Sequence, residues 1–162
     1  MTDVQRVLAK LRKAKTRDEA DLLTGELARA AQQSPVEVVD LYYTRRKQIF
    51  SLVWCLHGLK NEAVIDLYQH ALNHKDKYVR WAAIEGLAYS HEPALNAVFV
   101  AALKDRSPMV KGVAVEWLKS HGDSTALGPL ERLVGLPSLA TIAPGIVKQA
   151  KAAMRLIRAR GK

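Results

Sequence analysis

The sequence predicts an all-α protein, an α-solenoid of about five antiparallel helix pairs in a single domain spanning residues 1–162, and three observations predict it. Apolar residues recur at helical rather than alternating spacing, and aromatics make up only 6% of a chain rich in Ala and Leu, a composition that disfavours a sheet. The helical segments are joined by turns of about two to five residues, short enough to force antiparallel packing of neighbours. One stretch of sequence also returns after a fixed interval, the mark of stacked repeats. With 49% hydrophobic residues over 162 positions, the chain has the material for one real core.

Taken in order, Val4, Val7, Leu8 and Leu11 form the i, i+3, i+4, i+7 stripe of a first helix from Asp3 to Ala14, with Arg6, Lys10, Arg12 and Lys13 off the stripe. Thr16 and Glu19 make a capping box for a second helix, which continues through Leu22, Leu23, Leu27 and Ala30 to about Gln32. These two helices, within residues 1–33, are expected to cap the stack, and the repeats to occupy 34–160. Ser34, Pro35 and Glu37 then supply an N-cap, a first-position proline and an N-terminal carboxylate for a helix over 35–43. Further helices are expected at 45–59, 62–72, 77–89, 93–103, 108–120, 125–134 and 144–159. Asn61, Asp76, Ser107 and Ser124 serve as caps, Pro93 and Pro108 mark helix starts, and Gly122 follows a helix end.

Several classes of function drop out on composition. The first fifteen residues carry charge at nearly every third position and hold no signal-like apolar run, and no stretch approaches the roughly 20 apolar residues of a membrane span, so a cytoplasmic protein is expected. The single cysteine, Cys55, sits between Trp54 and Leu56 and reads as a small core residue rather than a reactive one. Net charge is +9, but six bases lie in residues 148–162 with no acid, which leaves only +3 for the other 147 residues. The basic character is therefore mostly that of one helix.

Sliding the chain against itself reveals a period of 31 residues. Val79, Arg80, Ala83, Ile84, Glu85 and Leu87 line up with Val110, Lys111, Ala114, Val115, Glu116 and Leu118. One period earlier, Val53 and Leu56 fall under Ile84 and Leu87, with Leu52 where the small Ala83 stands; a weaker fourth copy, Ile146, Ala150 and Met154, is displaced by the segment from Gly135 to Pro144. A helix pair cannot bury its apolar face alone, so such pairs stack, and small residues such as Ala83 and Ala114 belong where helices cross.

Through Asp76, Val79, Arg80, Ala83 and Leu87, and again through Asp105, Pro108, Val110, Lys111, Ala114 and Leu118, the chain resembles the HEAT-like repeat superfamily, including its short bacterial versions. The resemblance covers residues 62–120 well and 35–60 and 125–159 loosely. It implies a scaffold for binding, and it implies a structural polar ladder for Asp76, Arg80, Asp105 and Lys111.

If the second helices line a concave face, the period assigns Trp54, Glu85 and Glu116 to one row, with Trp81 a turn before Glu85. This is the candidate partner-binding set for a non-enzymatic adaptor holding a protein or peptide, since exposed aromatics are hot-spot material. The alternative for Trp54 and Trp81 is packing between helices, while Trp117, aligned with the tight position of Gly86, reads as a space filler. In the last helix Lys148, Lys151, Arg155, Arg158 and Lys162 share an arc of about 80° at 100° per residue. Together with Arg80 and Lys111 they form the candidate phosphate or nucleic-acid set of a rival reading; a solvated face is the simpler one. Arg45, Arg46, Lys47, Lys75, Lys77, Lys104 and Arg106 at inter-helix turns extend that basic edge, among interleaved acids.

No metal or cofactor is expected: His57, His70, His74, His91 and His121 lack paired ligand spacing, and Cys55 with His57 is too few donors for zinc. Deoxyhypusine hydroxylases, also HEAT-like, hold iron through several His-Glu pairs, whereas this chain has only His91–Glu92, before Pro93. HEAT-like alkylpurine DNA glycosylases hold damaged duplex with concave tryptophans, an acid and bases, a set loosely imitated by Trp81, Trp117, Glu85, Arg80 and Lys111. Here the acid is glutamate rather than aspartate, and the likeness stops at the generic repeat. No catalytic constellation is expected, neither a glycine-rich phosphate loop nor a nucleophile elbow.

Overall fold

The computed structural model describes residues 1–45, 47–90 and 92–161. Every regular element among them is helical. The chain gathers into two compact units, Met1–Ser90 and His91–Lys162. The first holds α1 (Asp3–Leu11), α2 (Arg17–Gln33), α3 (Pro35–Thr44), α4 (Ile49–Trp54), α5 (Glu62–Ala71) and α6 (Lys77–Ser90). The second holds α7 (Asn96–Ala102), α8 (Pro108–His121), α9 (Leu127–Val134), α10 (Pro137–Ile142) and α11 (Pro144–Arg160). Successive helices pair as α1/α2, α3/α4, α5/α6, α7/α8 and α9/α11, with α10 inserted in the last connection.

In the first unit, α1 ends at Leu11 rather than Ala14, after burying Val4, Val7 and Leu8 against α2. Thr16 caps α2 as the sequence predicts, its Oγ1 accepting from Glu19 N at 3.2 Å, while Glu19 Oε2 reaches one residue past the cap and accepts from Lys15 N at 2.9 Å. Ser34 occupies the N-cap of α3 without a side-chain cap bond, and Pro35 starts the helix as expected. Asn61 caps α5 by accepting from Val64 N at 2.9 Å. Each fully buried leucine along this unit, Leu8, Leu27, Leu52, Leu56 and Leu67 among them, contributes about 1.5–3 kcal/mol of burial.

The helix expected over 45–59 shrinks to six residues, and the backbone shows why. Gln48, at φ 60, turns the chain through the left-handed region just before α4, and its Nε2 donates to the carbonyl of Leu8 at 2.9 Å. After Trp54 the chain tightens through i→i+3 bonds and leaves at Gly58, whose φ of 86 suits glycine. Cys55 and Leu56 are still buried there, so an apolar run that reads as helix is partly turn. Arg46, one of the basic-edge residues, lies outside the described residues.

In the second unit, the spans expected at 93–103 and 125–134 each open with a 3₁₀ turn, Pro93–Leu95 and Ser124–Ala126, before α7 and α9 begin. The cap of the second turn is Asp123 rather than Ser124, its carboxylate accepting from Thr125 N at 2.8 Å. Hydrogen bonds from the Thr125 hydroxyl and then the Thr125 N–H pull the Asp123 carboxyl below its ordinary range. The segment from Gly135 to Pro144, read as the extra residues that displace the fourth copy and assigned no helix, contains α10, which starts on Pro137 and buries Leu139. Ala83 and Ala114, the predicted small crossing positions, are both fully buried.

Candidate interaction surface

On α6, Tyr78, Trp81, Glu85 and Tyr89 follow one another at spacings of three, four and four, which puts them within about 80° of one helical face. On α4, Phe50 and Trp54 are one turn apart and stacked, with ring centroids 5.6 Å apart and planes 22° apart. Trp54 and Trp81 meet at 5.2 Å, because α4 packs against α6. Trp81 Nε1 donates to Glu85 Oε1 at 3.2 Å, so the carboxylate is held against the rings. Both tryptophans are half-buried, while Phe50, Tyr78 and Tyr89 are 36%, 49% and 54% exposed. Lys77 Nζ lies 5.1 Å from the Tyr78 ring centroid, within cation–π range.

His57 completes this face from behind. Its ring lies 4.4 Å from that of Trp54 and 5.8 Å from that of Tyr89. Its Nε2 donates to the carbonyl of Ala82 at 2.7 Å, which fixes the tautomer. Burial lowers the His57 pKa from 6.5, opposed in part by that hydrogen bond, and so favours the neutral ring. Beneath it, burial pushes the Cys55 thiol up to about 12, consistent with its expected role as a core residue.

Three of the four predicted partner-binding residues, Trp54, Trp81 and Glu85, are thus brought together in the first unit. The fourth, Glu116, belongs to the second unit, where it is exposed and paired with Lys119 at 2.9 Å. The residue aligned with Trp81 is Gly112, where an added Cβ would lie 3.6 Å from Ile146 Cδ1 of α11. Phe50, Tyr78 and Tyr89 escaped the sequence reading, although their helical spacing from Trp54 and Glu85 was the available signal. Trp117 is 4% exposed and stacks on Phe99 at 4.1 Å with planes 6° apart, a packing role.

The predicted phosphate set is dispersed. Arg80 is 4% exposed, and its Nη1 donates to the carbonyls of His74 and Lys75 at 2.8 and 3.0 Å; a guanidinium buried in its own turn is withdrawn from any phosphate, which corrects the expectation for that residue. Asp76 and Asp105 accept from Tyr78 N and Ser107 N at 2.9 and 2.7 Å, each holding the turn before its helix. Arg158 pairs with Glu131 at 2.7 Å. Arg160 instead caps the end of α8, donating to the carbonyls of Lys119 and Gly122 at 2.8 and 2.9 Å. Lys148, Lys151 and Arg155 remain exposed along an open depression of about 520 Å³ beside Pro144 and Val147, and Lys162 lies outside the described residues. Lys111 lines a different pocket, with Lys104 and Arg132.

His91, of the His91–Glu92 pair, lies outside the described residues. Among the described residues no helix is long and apolar enough to cross a membrane.

Repeated antiparallel helix pairs carrying a surface of aromatic side chains define an all-α repeat protein. Residues 64–143 match the family model of HEAT repeats, and the chain is a HEAT-like repeat protein. No curated protein matches it. HEAT repeats generally mediate protein–protein interaction.

Proposed function

We propose that this protein is a non-enzymatic adaptor, working in the cytoplasm, that holds a protein or peptide partner on the face formed by Phe50, Trp54, Trp81 and Glu85. The observation that carries this reading is the Trp54–Trp81 contact with Glu85 bonded to the indole, on a surface that stays partly open to solvent. Tryptophan and tyrosine offer large contact area at little entropic cost, and they dominate the energetics of interfaces. A carboxylate set among ring faces favours a cation, so the best-matched partner segment presents an Arg or Lys side chain to Glu85 and lays its stem across Trp81.

Selection of peptides from a displayed random library tests this. The expected consensus contains a basic residue beside an apolar one, and its binding falls at least about tenfold in Trp81→Ala with the helical circular dichroism unchanged. Selected peptides that bind Trp81→Ala as tightly as the parent would contradict the reading.

A second reading, nucleic-acid binding through α11, draws on exposed Lys148, Lys151 and Arg155. Three phosphate contacts correspond to a slope of log affinity against log salt of about −2.7 on duplex DNA. A measurable complex with that slope, abolished by neutralising the three residues, would favour this reading over the first.

A further inference from the structure

We propose that the pocket between the C-terminal ends of α7 and α9 and the first turns of α8 binds a carboxylate carried beside an aliphatic side chain, the chemistry of an acidic and apolar polypeptide segment. The pocket has a volume of about 220 Å³ and is rimmed by Lys104, Lys111 and Arg132. Its floor is Leu103 and Leu133, both 3% exposed, with Leu136 at the lip, 40% exposed. Its lining contains no acid. Among the described residues none of the three cations makes an ion pair.

Two features argue against a merely solvated cluster. Lys104 and Arg132 stand at the ends of α7 and α9, where terminal carbonyls favour cations, but Lys111 lies at the start of α8, where the helix dipole opposes one. Its first turn contains no acid to compensate. The repeat supplies the second feature. Arg80, aligned with Lys111, spends its charge on the carbonyls of its own turn, whereas Lys111 makes no such bond and faces the pocket with two further cations. Three like charges around an apolar floor repel one another, and an anion seated among them relieves that repulsion while an aliphatic group covers the leucines. A volume of 220 Å³ falls below the usual range for cofactors and drug-sized ligands, about 300–1,000 Å³, and suits one or two peptide side chains.

This site shares no residue with the aromatic face and stands whether or not that face binds a partner. The test is an amide NMR titration of the full chain with four probes: N-acetyl-leucine, N-acetyl-leucyl-glutamate with its C-terminus amidated, neutral N-acetyl-leucinamide, and inorganic phosphate. One or both carboxylate probes should give saturable shifts at Leu103, Lys111 and Leu133 with millimolar affinity, tighter for the free α-carboxylate if the natural ligand is a chain end and for the side-chain carboxylate if it is internal. Lys111→Gln and Arg132→Gln should each weaken binding at least about fivefold, and Trp81→Ala should leave it unchanged. Equal binding of the neutral amide, phosphate binding as tight as either carboxylate, or no saturable shift with any probe would overturn the proposal.

Discussion

The repeats α5/α6 and α7/α8 are built on one 31-residue register, and they fill it in opposite ways. In the first, Tyr68 of α5 lies over Gly86 of α6, so closely that a Cβ at Gly86 would stand 2.3 Å from Tyr68 Cζ. In the second, the aligned residues are Phe99 and Trp117, stacked face to face at 4.1 Å. A large ring against no side chain and two rings in parallel are two solutions to one packing problem. The outward positions diverge as well. Trp81 and Glu85 form a bonded aromatic and acidic pair, while Gly112 admits Ile146 and Glu116 turns to Lys119. Even the conserved-looking cation differs in use, Arg80 buried in its turn and Lys111 lining a pocket. A common register therefore fixes where helices meet, and leaves each repeat free to present different chemistry.

The largest expected effect that breaks this comparison is Trp117→Ala. Removing a 4%-exposed ring stacked on Phe99 should destabilise the fold by about 3–5 kcal/mol, read from urea denaturation. Trp117 Nε1 has no hydrogen-bond partner among the described residues, so packing alone is lost. Next come two glycines at different register positions, Gly86 aligned with Trp117 and Gly112 aligned with Trp81. Gly86→Ala drives a methyl into the Tyr68 ring and should cost about 1–3 kcal/mol, a penalty reduced in a Tyr68→Leu background. Gly112→Ala meets Ile146 only at 3.6 Å, so it should cost less than about 1 kcal/mol or stabilise α8 slightly through helix propensity. Equal costs at the two glycines would show that the Tyr68 ring does not close over Gly86 as described.

A smaller effect concerns acid. Burial holds the His57 pKa below 6.5, so the unfolded chain binds a proton that the folded chain resists. The stability this neutral ring contributes is present above about pH 6.5 and is lost as pH falls from there toward the folded-state value. The urea midpoint should therefore drop more on going from about pH 7.5 to 5.5 in the parent than in His57→Gln. An equal drop in both would show that His57 titrates normally in the folded protein.

Much of the fold was legible because period and caps are local signals. Thr16 with Glu19, Asn61, Pro35 and Pro108 mark helix starts in the sequence and do so in the structure. What escaped depends on backbone choices that hydrophobic pattern does not encode. Gln48 in the left-handed region shortens α4, and Pro137, read as part of an insertion, starts α10. For the surface, helical spacing was enough to join Trp81 to Glu85 and would have added Tyr89 on α6 and Phe50 beside Trp54 on α4, but that α4 and α6 bring the two groups together is seen only in their packing. The fate of charge was least legible. Arg80 and Lys111 occupy one register position, yet Arg80 is buried with its guanidinium on two turn carbonyls while Lys111 lines a pocket, a difference the shared register does not encode.

On the proposed reading the aligned acids Glu85 and Glu116 do different work, one on the partner-binding face and one in a surface ion pair with Lys119. The most direct measurement is the affinity of a single library-selected basic peptide for Glu85→Gln and for Glu116→Gln, by isothermal titration calorimetry. Glu85→Gln should weaken binding about tenfold through loss of a charge-assisted contact, and Glu116→Gln should change it less than about twofold. Equal losses in the two variants, or no loss in Glu85→Gln, would contradict the account.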